Sequence, residues 1–400
     1  MIYNKFDNKN ILLLQGPMGD FFKKLDNYFR NCGATTYKIG FNAGDSFFSN
    51  RDNYIPYRDK PSNWEQFIKN LYHKYNIDAI FVFGDCRFYQ SIAIKVAKEL
   101  KLKVYVFEEG YVRPHYITME EYGVNDFSKL PRDADFYLKL KLKKIPKAKH
   151  AKNSKFKMVY SATIYYLLAN IFKFRYPYYI HHREMSAIKE AFYGIRSVYR
   201  KVLYKFLYEY KTQELISTKL RKQYYFVPLQ TYTDFQLLTH SNFKTIEEFI
   251  DYVLNSFSKF APKDRYIIFK HHPVDRGRKN YRRYILKKAK KLGIEKRVLV
   301  FYDTFLPSCL KNAIATVTIN STVGLTSLGY CIPTITLGKS IYDIDGLTNK
   351  GKKLDNFWID YRKPNMILYK KFYQYIIENT QLNGRFYGIF PKDICKRINI

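Results

Sequence analysis

Cysteine, acidic residues and long apolar runs are all scarce in this 400-residue chain. Its five cysteines are scattered and form no Cys-x-x-Cys pair, which argues against a disulfide framework or a zinc knuckle and favours a reducing, cytosolic setting. The longest apolar stretch without a formal charge, Met158–Phe172, has 15 residues, whereas a membrane-spanning helix needs about 20. The sequence therefore predicts neither a disulfide-stabilised secreted domain nor a transmembrane helix.

The shortage of acidic residues leaves a large positive charge. The chain has 69 Lys and Arg against 35 Asp and Glu, a formal net charge of +34. Such a charge favours anionic partners, namely nucleic acid, an acidic lipid surface or phosphorylated substrates. Because no RNP, KH or zinc pattern accompanies the charge, we predict that nucleic acid is not a partner.

Strand patterns alternate with helical patterns in two parts of the chain. The predicted strands cover residues 11–15, 35–39, 79–83 and 104–107, and then 224–229, 265–270, 297–301, 315–320 and 332–337. This alternation is typical of parallel sheets with crossover helices. We therefore predict an α/β protein with two doubly wound, Rossmann-like domains, at residues 1–138 and 224–364. A basic and aromatic helical insert (139–223) lies between them, and a helical tail (365–400) follows.

Ligands of such sheets bind beyond the carboxyl ends of the strands, and two glycines follow the first predicted strand. Gly16 and Gly19 would allow a ligand to approach the backbone closely, or they would simply form a tight turn between strand and helix. The segment has neither the Gly-x-Gly-x-x-Gly pattern nor the lysine of a P-loop. Dinucleotide or nucleoside-triphosphate binding is therefore poorly supported.

Two adjacent carboxylates, Glu108 and Glu109, follow another predicted strand of the first half. Crowding raises the pKa of one of two neighbouring carboxylates, which suits acid–base or nucleophilic catalysis. Asp85 and Arg87 end a neighbouring strand, and Arg113 follows the glutamates. Either arginine could hold a carboxylate in a bidentate pair, so an ion-pair network explains these residues as well as catalysis does.

Two sets of candidate binding residues stand at the ends of predicted strands in the second half. Lys270, His272 and Pro273 suit a leaving phosphate, although His272 could equally be a structural histidine. The sequence around His271 and His272 has no further His or Cys at ligand spacing, so we predict no metal site. Asn320, Ser321 and Thr322 stand where a helix begins, and there hydroxyl and N–H groups either cap the helix or bind a phosphate.

The order Glu-Glu-Gly, His-Pro, Ser-Thr resembles the motif trio of bacterial two-domain sialyltransferases, which use CMP-sugars. Longer stretches resemble the capsule polysaccharide biosynthesis/export family of the KpsS/LipB type. They read QGPMGDFF, FNAGD, FGDCRFYQ, FEEGYVRPHYIT, GVNDFSKLPRD, VPLQ, KHHPVDRG and INSTVGL. The resemblance covers roughly residues 10–135 and 224–350, and little of the middle or of the last 50 residues.

This resemblance implies a GT-B-like fold and a transfer of β-Kdo, an eight-carbon acidic sugar, from CMP-β-Kdo to a phosphatidylglycerol-type lipid. It implies that Lys270, His272, Ser321 and Thr322 engage the CMP phosphate, with help from Asn320. No metal and no cofactor besides the donor substrate are required, since cationic side chains can offset the charge of the leaving phosphate.

The roles of the carboxylates are less defined. A β-to-β outcome is retention, which implies two displacements and a covalent carboxylate adduct. We favour Glu109 as the nucleophile, with Asp85 as the rival and Glu108 as a structural alternative. Arg87 or Arg113 would hold the carboxylate of Kdo. The family's export label leaves a second hypothesis open, a non-catalytic export or assembly factor at the inner membrane.

The charge of the insert points to a lipid surface. Residues 139–157 contain nine lysines and precede an aromatic stretch at 160–179, and each Lys or Arg near an anionic surface contributes about 1 kcal/mol to binding. We therefore predict a cytoplasmic protein, peripheral at the inner face of the membrane. The family resemblance implies a companion Kdo-linker transferase and the capsule export machinery as partners. A solvated pair of basic helices is the alternative for the insert.

Overall fold

The computed structural model describes residues 5–144, 148–151, 154–181, 187–232 and 241–400. The chain forms two compact units. The first comprises Met1–Lys129, Lys144–Ala187 and Ile376–Ile400, and the second comprises Leu130–Lys143 and Ile188–Tyr375. The insert predicted for residues 139–223 therefore contributes to both units, and the end of the chain returns to the first.

The first unit contains a seven-stranded sheet. Its strands are β1 (Asn10–Leu14), β2 (Thr35–Gly40), β3 (Tyr54–Pro56), β4 (Ala79–Phe83), β5 (Lys103–Glu109), β6 (Tyr116–Glu121) and β12 (Gln381–Asn383). They lie in the order β12-β6-β5-β4-β1-β2-β3. Strands β1 to β5 run parallel in the 3-2-1-4-5 order of a Rossmann-like sheet, whereas β6 and β12 are antiparallel to their neighbours.

Helices cover both faces of this sheet. They are α1 (Phe21–Asn31), α2 (Ala43–Phe47), α3 (Trp64–Lys74), α4 (Phe88–Glu99) and α6 (Lys155–Ile171), with 3₁₀ turns at Pro61–Asn63, Asn125–Phe127, Lys173–Arg175 and Ile394–Arg397. Side chains alternate along β1, so that Leu13 packs in one apolar cluster with Phe22 and Leu12 packs in another with Trp64. Both faces of the sheet are therefore buried, as a parallel sheet requires.

The second unit contains a five-stranded parallel sheet. Its strands are β7 (Tyr224–Pro228), β8 (Tyr266–Lys270), β9 (Val298–Phe301), β10 (Ala315–Thr318) and β11 (Thr334–Thr336). Their order, β11-β10-β7-β8-β9, again corresponds to 3-2-1-4-5 when it is read from β9. Alternating residues of β7 divide between two apolar clusters, one with Tyr225 and Val227 and the other with Tyr224 and Phe226.

The helices of the second unit complete its two layers around the sheet. They are α5 (Ala134–Leu138), α7 (Ala187–Leu207), α8 (Thr212–Ser217), α9 (Ile246–Phe260), α10 (Tyr281–Lys291), α11 (Leu306–Lys311), α12 (Thr322–Gly329), α13 (Leu354–Phe357) and α14 (Met366–Thr380), with 3₁₀ turns at Pro273–Gly277 and Glu295–Arg297. The last turn of α14, from Ile376, belongs to the first unit. In the described ranges, no helix has the length and hydropathy that crossing a bilayer would take.

Two Rossmann-like units confirm the predicted α/β, GT-B-like fold class, and the insert contains the helices α6, α7 and α8. The sequence missed β3, β6 and β12. The strand predicted at residues 104–107 is longer than expected, because pairing with β6 extends β5 through Glu109.

Candidate functional site

Glu108 and Glu109 are the last two residues of β5 rather than part of the loop after it. They pair with Thr118 and Ile117 of β6, so the antiparallel hairpin fixes their backbone. Glu108 is half-buried and Glu109 is exposed. The two neighbouring carboxylates therefore lie in different environments, which lets them take different chemical roles.

The carboxylate of Glu108 lies over the end of β4. Gly84 has a φ of +74°, and a Cβ atom there would lie 3.6 Å from Arg87 Nε and 3.8 Å from Glu108 Oε2. Glu108 Oε1 accepts a hydrogen bond of 3.0 Å from the Glu109 N–H. Burial raises the pKa of Glu108 to about 7; the Glu109 and Asp85 carboxylates act in the same direction, and Arg87 opposes them. Glu108 can therefore exchange a proton near neutral pH.

Asp85 holds a neighbouring loop in place. Its side chain is buried, with Oδ2 accepting a 2.8 Å hydrogen bond from the Val124 N–H and Oδ1 accepting one of 3.1 Å from the Cys86 thiol. Arg87 places its guanidinium 5.0 Å from the centre of the Phe83 ring. The structure thus brings Asp85, Arg87 and Glu108 together at the ends of β4 and β5.

Two functional candidates at this edge were not predicted, Arg385 and Tyr387. Arg385 Nε is buried without a hydrogen-bond partner in the part of the chain that the structure describes. Burial lowers the pKa of Arg385, an effect that the Glu109 carboxylate opposes and Arg113 reinforces. Burial likewise raises the pKa of Tyr387 to about 12, and Glu109 adds to this rise. Both residues therefore lie within electrostatic range of Glu109.

Strand β12 brings this segment to the site, because it pairs with β6 and the chain then turns through residues 384–388. The sequence there, GRFYG, places an arginine and a tyrosine between two glycines. That pattern was the available signal, but it lies in the part of the chain that carries little of the family resemblance. Arg113, which was predicted, is exposed and donates from Nε to the Gly110 carbonyl at 3.2 Å.

The two predicted glycines have different explanations. A Cβ atom at Gly16 would lie 2.5 Å from Phe22 Cγ, so packing of α1 on β1 already requires this glycine. Gly19 has a φ of +126°, and a Cβ atom there would lie 3.1 Å from Ser161 Oγ and 3.5 Å from Tyr387 Cε1. Only Gly19 therefore adjoins the segment that carries Arg385 and Tyr387.

In the second unit, the side chains of residues 270–272, at the end of β8, point in different directions. The buried Lys270 donates from Nζ to the Tyr302 carbonyl at 2.5 Å, and burial lowers its pKa. His271 is buried against Tyr281 and Tyr302, and burial lowers its pKa to about 4. His272 is half-exposed, and its Nδ1 accepts a 3.2 Å hydrogen bond from the Val274 N–H.

His272 thus caps the 3₁₀ turn that begins at the exposed Pro273. Of the three side chains at residues 270–272, His272 is the most exposed. The ammonium of Lys270 points instead to a backbone carbonyl, where its charge can act on a ligand only at a distance.

Residues 320–322 lead from β10 into α12. Asn320 Oδ1 accepts a 2.9 Å hydrogen bond from Gln230 Nε2. Ser321 Oγ accepts one of 3.3 Å from the Val323 N–H and so caps α12, whose first residue is Thr322. Gln230 follows β7, which lies between β8 and β10. The ends of these three parallel strands form one edge, so His272 and residues 320–322 lie along the same edge of the second sheet.

Within the described ranges, no group of three or more His, Cys, Asp or Glu side chains is placed so that it could hold a metal ion.

Comparison with known proteins places the chain among capsule proteins. Residues 78–387 match the family model for capsule polysaccharide biosynthesis proteins, and the chain belongs to this family. It is 39% identical over 379 residues to the capsule polysaccharide export protein KpsS of Escherichia coli, covering 95% of this chain and 97% of that protein. It is 37% identical over 396 residues to the capsule polysaccharide modification protein LipB of Neisseria meningitidis strain Z2491, covering 96% and 93%.

Among solved structures, Thermosulfurimonas dismutans KpsC, a beta Kdo 2,7 transferase, matches with a TM-score of 0.41 and 14% identity, covering 91% of this chain and 89% of that one. The relatives by sequence confirm the predicted KpsS/LipB-type family.

Proposed function

We propose that this protein is a retaining glycosyltransferase that moves β-Kdo from CMP-β-Kdo to a phosphatidylglycerol-type lipid and so starts the poly-Kdo linker of a capsule. The observation that carries the proposal is the pair of unlike carboxylates at the end of β5, one exposed and one with its pKa raised to about 7. Membership of a capsule biosynthesis family supports the pathway. The choice of donor and acceptor rests on the motif resemblance.

The exposed Glu109 carboxylate attacks the anomeric carbon of Kdo, and the bond to the phosphate of CMP breaks. The lipid hydroxyl then attacks the same carbon, the bond to Glu109 breaks, and Glu108 accepts the hydroxyl proton. Each displacement inverts the anomeric carbon, so the product retains its configuration. A pKa of about 7 leaves a large fraction of Glu108 ionised and able to accept that proton near neutral pH.

In the second unit, the nucleotide phosphate binds at the edge formed by β7, β8 and β10. His272 and the hydroxyls of Ser321 and Thr322 provide hydrogen bonds, with the first N–H groups of α12. Pro273 orients the turn that His272 caps, and Asn320 is held by Gln230. The buried charge of Lys270 stabilises the leaving phosphate through its field. No metal or further cofactor takes part in this proposal.

The carboxylate of the sugar would bind to guanidinium groups of the first unit. Arg87 and Arg113 remain candidates, and Arg385 joins them because its Nε is buried and lacks a partner among the described residues. Leaving such a group unpaired costs about 1–3 kcal/mol, and an anionic ligand would recover that cost. Gly19 keeps the space beside Tyr387 open.

The lipid acceptor requires contact with the inner leaflet. We propose that the lysines of residues 139–157 and the aromatic stretch 160–179 provide it; Lys147 and Lys152 lie outside the described residues. Phe156 and Tyr160 on α6 are 82% and 51% exposed, which suits insertion at a membrane interface. The companion transferase and the export machinery stay proposed partners at this surface.

The test is incubation of the protein with CMP-Kdo and a fluorescent phosphatidylglycerol, followed by mass analysis of the lipid. We expect Kdo-lipid from the wild type, at least a thousandfold less from Glu109→Gln, and normal amounts from the control Glu99→Gln, whose side chain is 53% exposed on α4. Wild-type rates in the Glu109 variant would refute the nucleophile assignment, and no product from the wild type would refute the transferase.

A second candidate function is that of a non-catalytic export or assembly factor. It is favoured by the name of the E. coli relative, which is called an export protein. This candidate predicts no CMP release from CMP-Kdo in the presence of the lipid, and unaffected capsule output in cells that carry Glu109→Gln.

A further inference from the structure

Helix α7 exposes a continuous apolar stripe. Its six members are between 55% and 84% exposed, and they are Ile188, Phe192, Ile195, Tyr199, Val202 and Phe206. They recur every three or four residues, so they fall on one side of the helix over its whole 21-residue length. We call them the α7 stripe. Exposed apolar surface of this extent is unusual on a protein that binds nothing there.

The opposite side of α7 is firmly packed within the second unit. Arg196 Nη2 donates to the Arg278 carbonyl at 3.0 Å, and Arg200 Nη1 donates to the Arg276 carbonyl at 2.9 Å. Tyr204 is buried, and its ring centre lies 4.1 Å from that of Tyr302. The helix is thus anchored on the turn that follows His272, and its stripe is held outward.

The charges of α7 are distributed unevenly around the stripe. At 100° per residue, the exposed Lys189 falls on one flank of the stripe and the exposed Lys205 falls on the other. Glu190 is the single acidic residue of the helix, and it forms a salt bridge with Arg278 on the packed side. The outward side therefore combines an apolar stripe with positive charge on both flanks.

We infer that the α7 stripe docks on an anionic bilayer surface, with the helix lying in the plane of the interface. Apolar side chains enter the boundary between headgroups and acyl chains, while flanking lysines reach the lipid phosphates. A second copy of the chain fits less well, because a paired stripe would bring lysines of the same sign together along both flanks. The inference rests on the proposed function only for the presence of a lipid acceptor.

The test is flotation of the full chain with vesicles of phosphatidylglycerol and phosphatidylcholine at 30:70, and with pure phosphatidylcholine, at about 0.15 M salt. We expect the wild type to bind the anionic vesicles and the triple variant Ile195→Ser/Tyr199→Ser/Phe206→Ser to bind them at least tenfold more weakly. The matched control is Ile359→Ser/Ile367→Ser/Ile389→Ser, which alters side chains that are 51–71% exposed elsewhere and should bind as the wild type does.

A second pair of variants separates the local charge from the net charge. Lys205→Gln should weaken binding severalfold, whereas Lys290→Gln, which removes the same charge from another exposed position, should not. Equal binding by the wild type and the α7 triple variant would overturn the inference. So would a concentration-dependent dimer that only the triple variant loses in sedimentation velocity, since it would assign the stripe to a second copy.

Transfer to a short-chain phosphatidylglycerol that stays monomeric in water distinguishes this inference from the proposed function. The triple variant should transfer Kdo to that acceptor at the wild-type rate while it loses most of its activity on vesicles. Absence of transfer by the wild type to either acceptor would instead count against the proposed function and leave the vesicle binding to be judged by itself.

Discussion

Replacing Glu108 with glutamine should stabilise the protein at alkaline pH while it abolishes transfer. The pKa of this carboxyl rises from 4.5 to about 7 on folding, chiefly through burial. At about 1.4 kcal/mol per pH unit, this rise means that the ionised side chain costs the folded state about 3 kcal/mol. The cost is absent below pH 4.5, where both states are protonated, grows as the pH rises to 7, and is constant above that value.

Glutamine is uncharged and can still accept the hydrogen bond from the Glu109 N–H. Glu108→Gln should therefore exceed the wild type in free energy of unfolding by about 3 kcal/mol at pH 8, and the difference should shrink towards zero as the pH falls to 4.5.

Urea denaturation between pH 5 and 8 measures this difference in the free energy of unfolding. Tryptophan fluorescence from the first unit alone serves as the signal. The chain has two tryptophans, Trp64 in the first unit and Trp358 in the second, and both are fully buried. A Trp358→Phe background leaves Trp64 as the reporter in both proteins. A variant that is less stable than its parent at pH 8, or a difference in stability that does not change with pH, would show that burial does not raise the pKa of Glu108.

Two other substitutions test the nucleotide edge and the sugar carboxylate. A Cβ atom at Gly324 would lie 2.3 Å from Tyr342 Oη, and the Tyr342 hydroxyl donates to the Ser321 carbonyl. Gly324→Ala should therefore lower the affinity for CMP at least fivefold in calorimetry. The control Gly194→Ala should leave the affinity unchanged, because its new methyl group meets no described residue within 4 Å beyond its own stretch of helix. Arg385→Lys should raise the KM for CMP-Kdo at least tenfold because an ammonium cannot form the bidentate pair; an unchanged KM would remove Arg385 from the binding set.

Much of the fold follows from local sequence patterns. Strands β1, β4 and β8 are short apolar runs followed by turn residues, and their positions are those predicted within a residue or two. Strands β3, β6 and β12 were missed for physical reasons. β6 carries the polar residues Thr118 and Glu120, which are buried because they accept hydrogen bonds from the backbone N–H and the hydroxyl of Tyr111. β3 and β12 have three residues each and no periodicity to detect.

The candidate site, like the fold, could be predicted only in part. Strand ends identify Glu108, His272 and Ser321, because the sheet topology places them at carboxyl edges. Arg385 reaches its position only through the pairing of β12 with β6, a contact between segments more than 260 residues apart. No local pattern encodes such a contact, so the sequence GRFYG alone could not place Arg385 near the glutamates.

The structure also bears on the choice between Glu109 and Asp85 as nucleophile. Both carboxylate oxygens of Asp85 accept hydrogen bonds, from the Val124 N–H and the Cys86 thiol, and its side chain is buried. An attack by Asp85 would require this buried carboxylate to reach the substrate while it holds the loop that begins at Val124. Glu109 is exposed at the strand end and lies within electrostatic range of Arg385 and Tyr387. Since a nucleophile has to reach its substrate, exposure favours Glu109 as the nucleophile of the proposed transfer, and the hydrogen bonds of Asp85 suit the role of holding the loop.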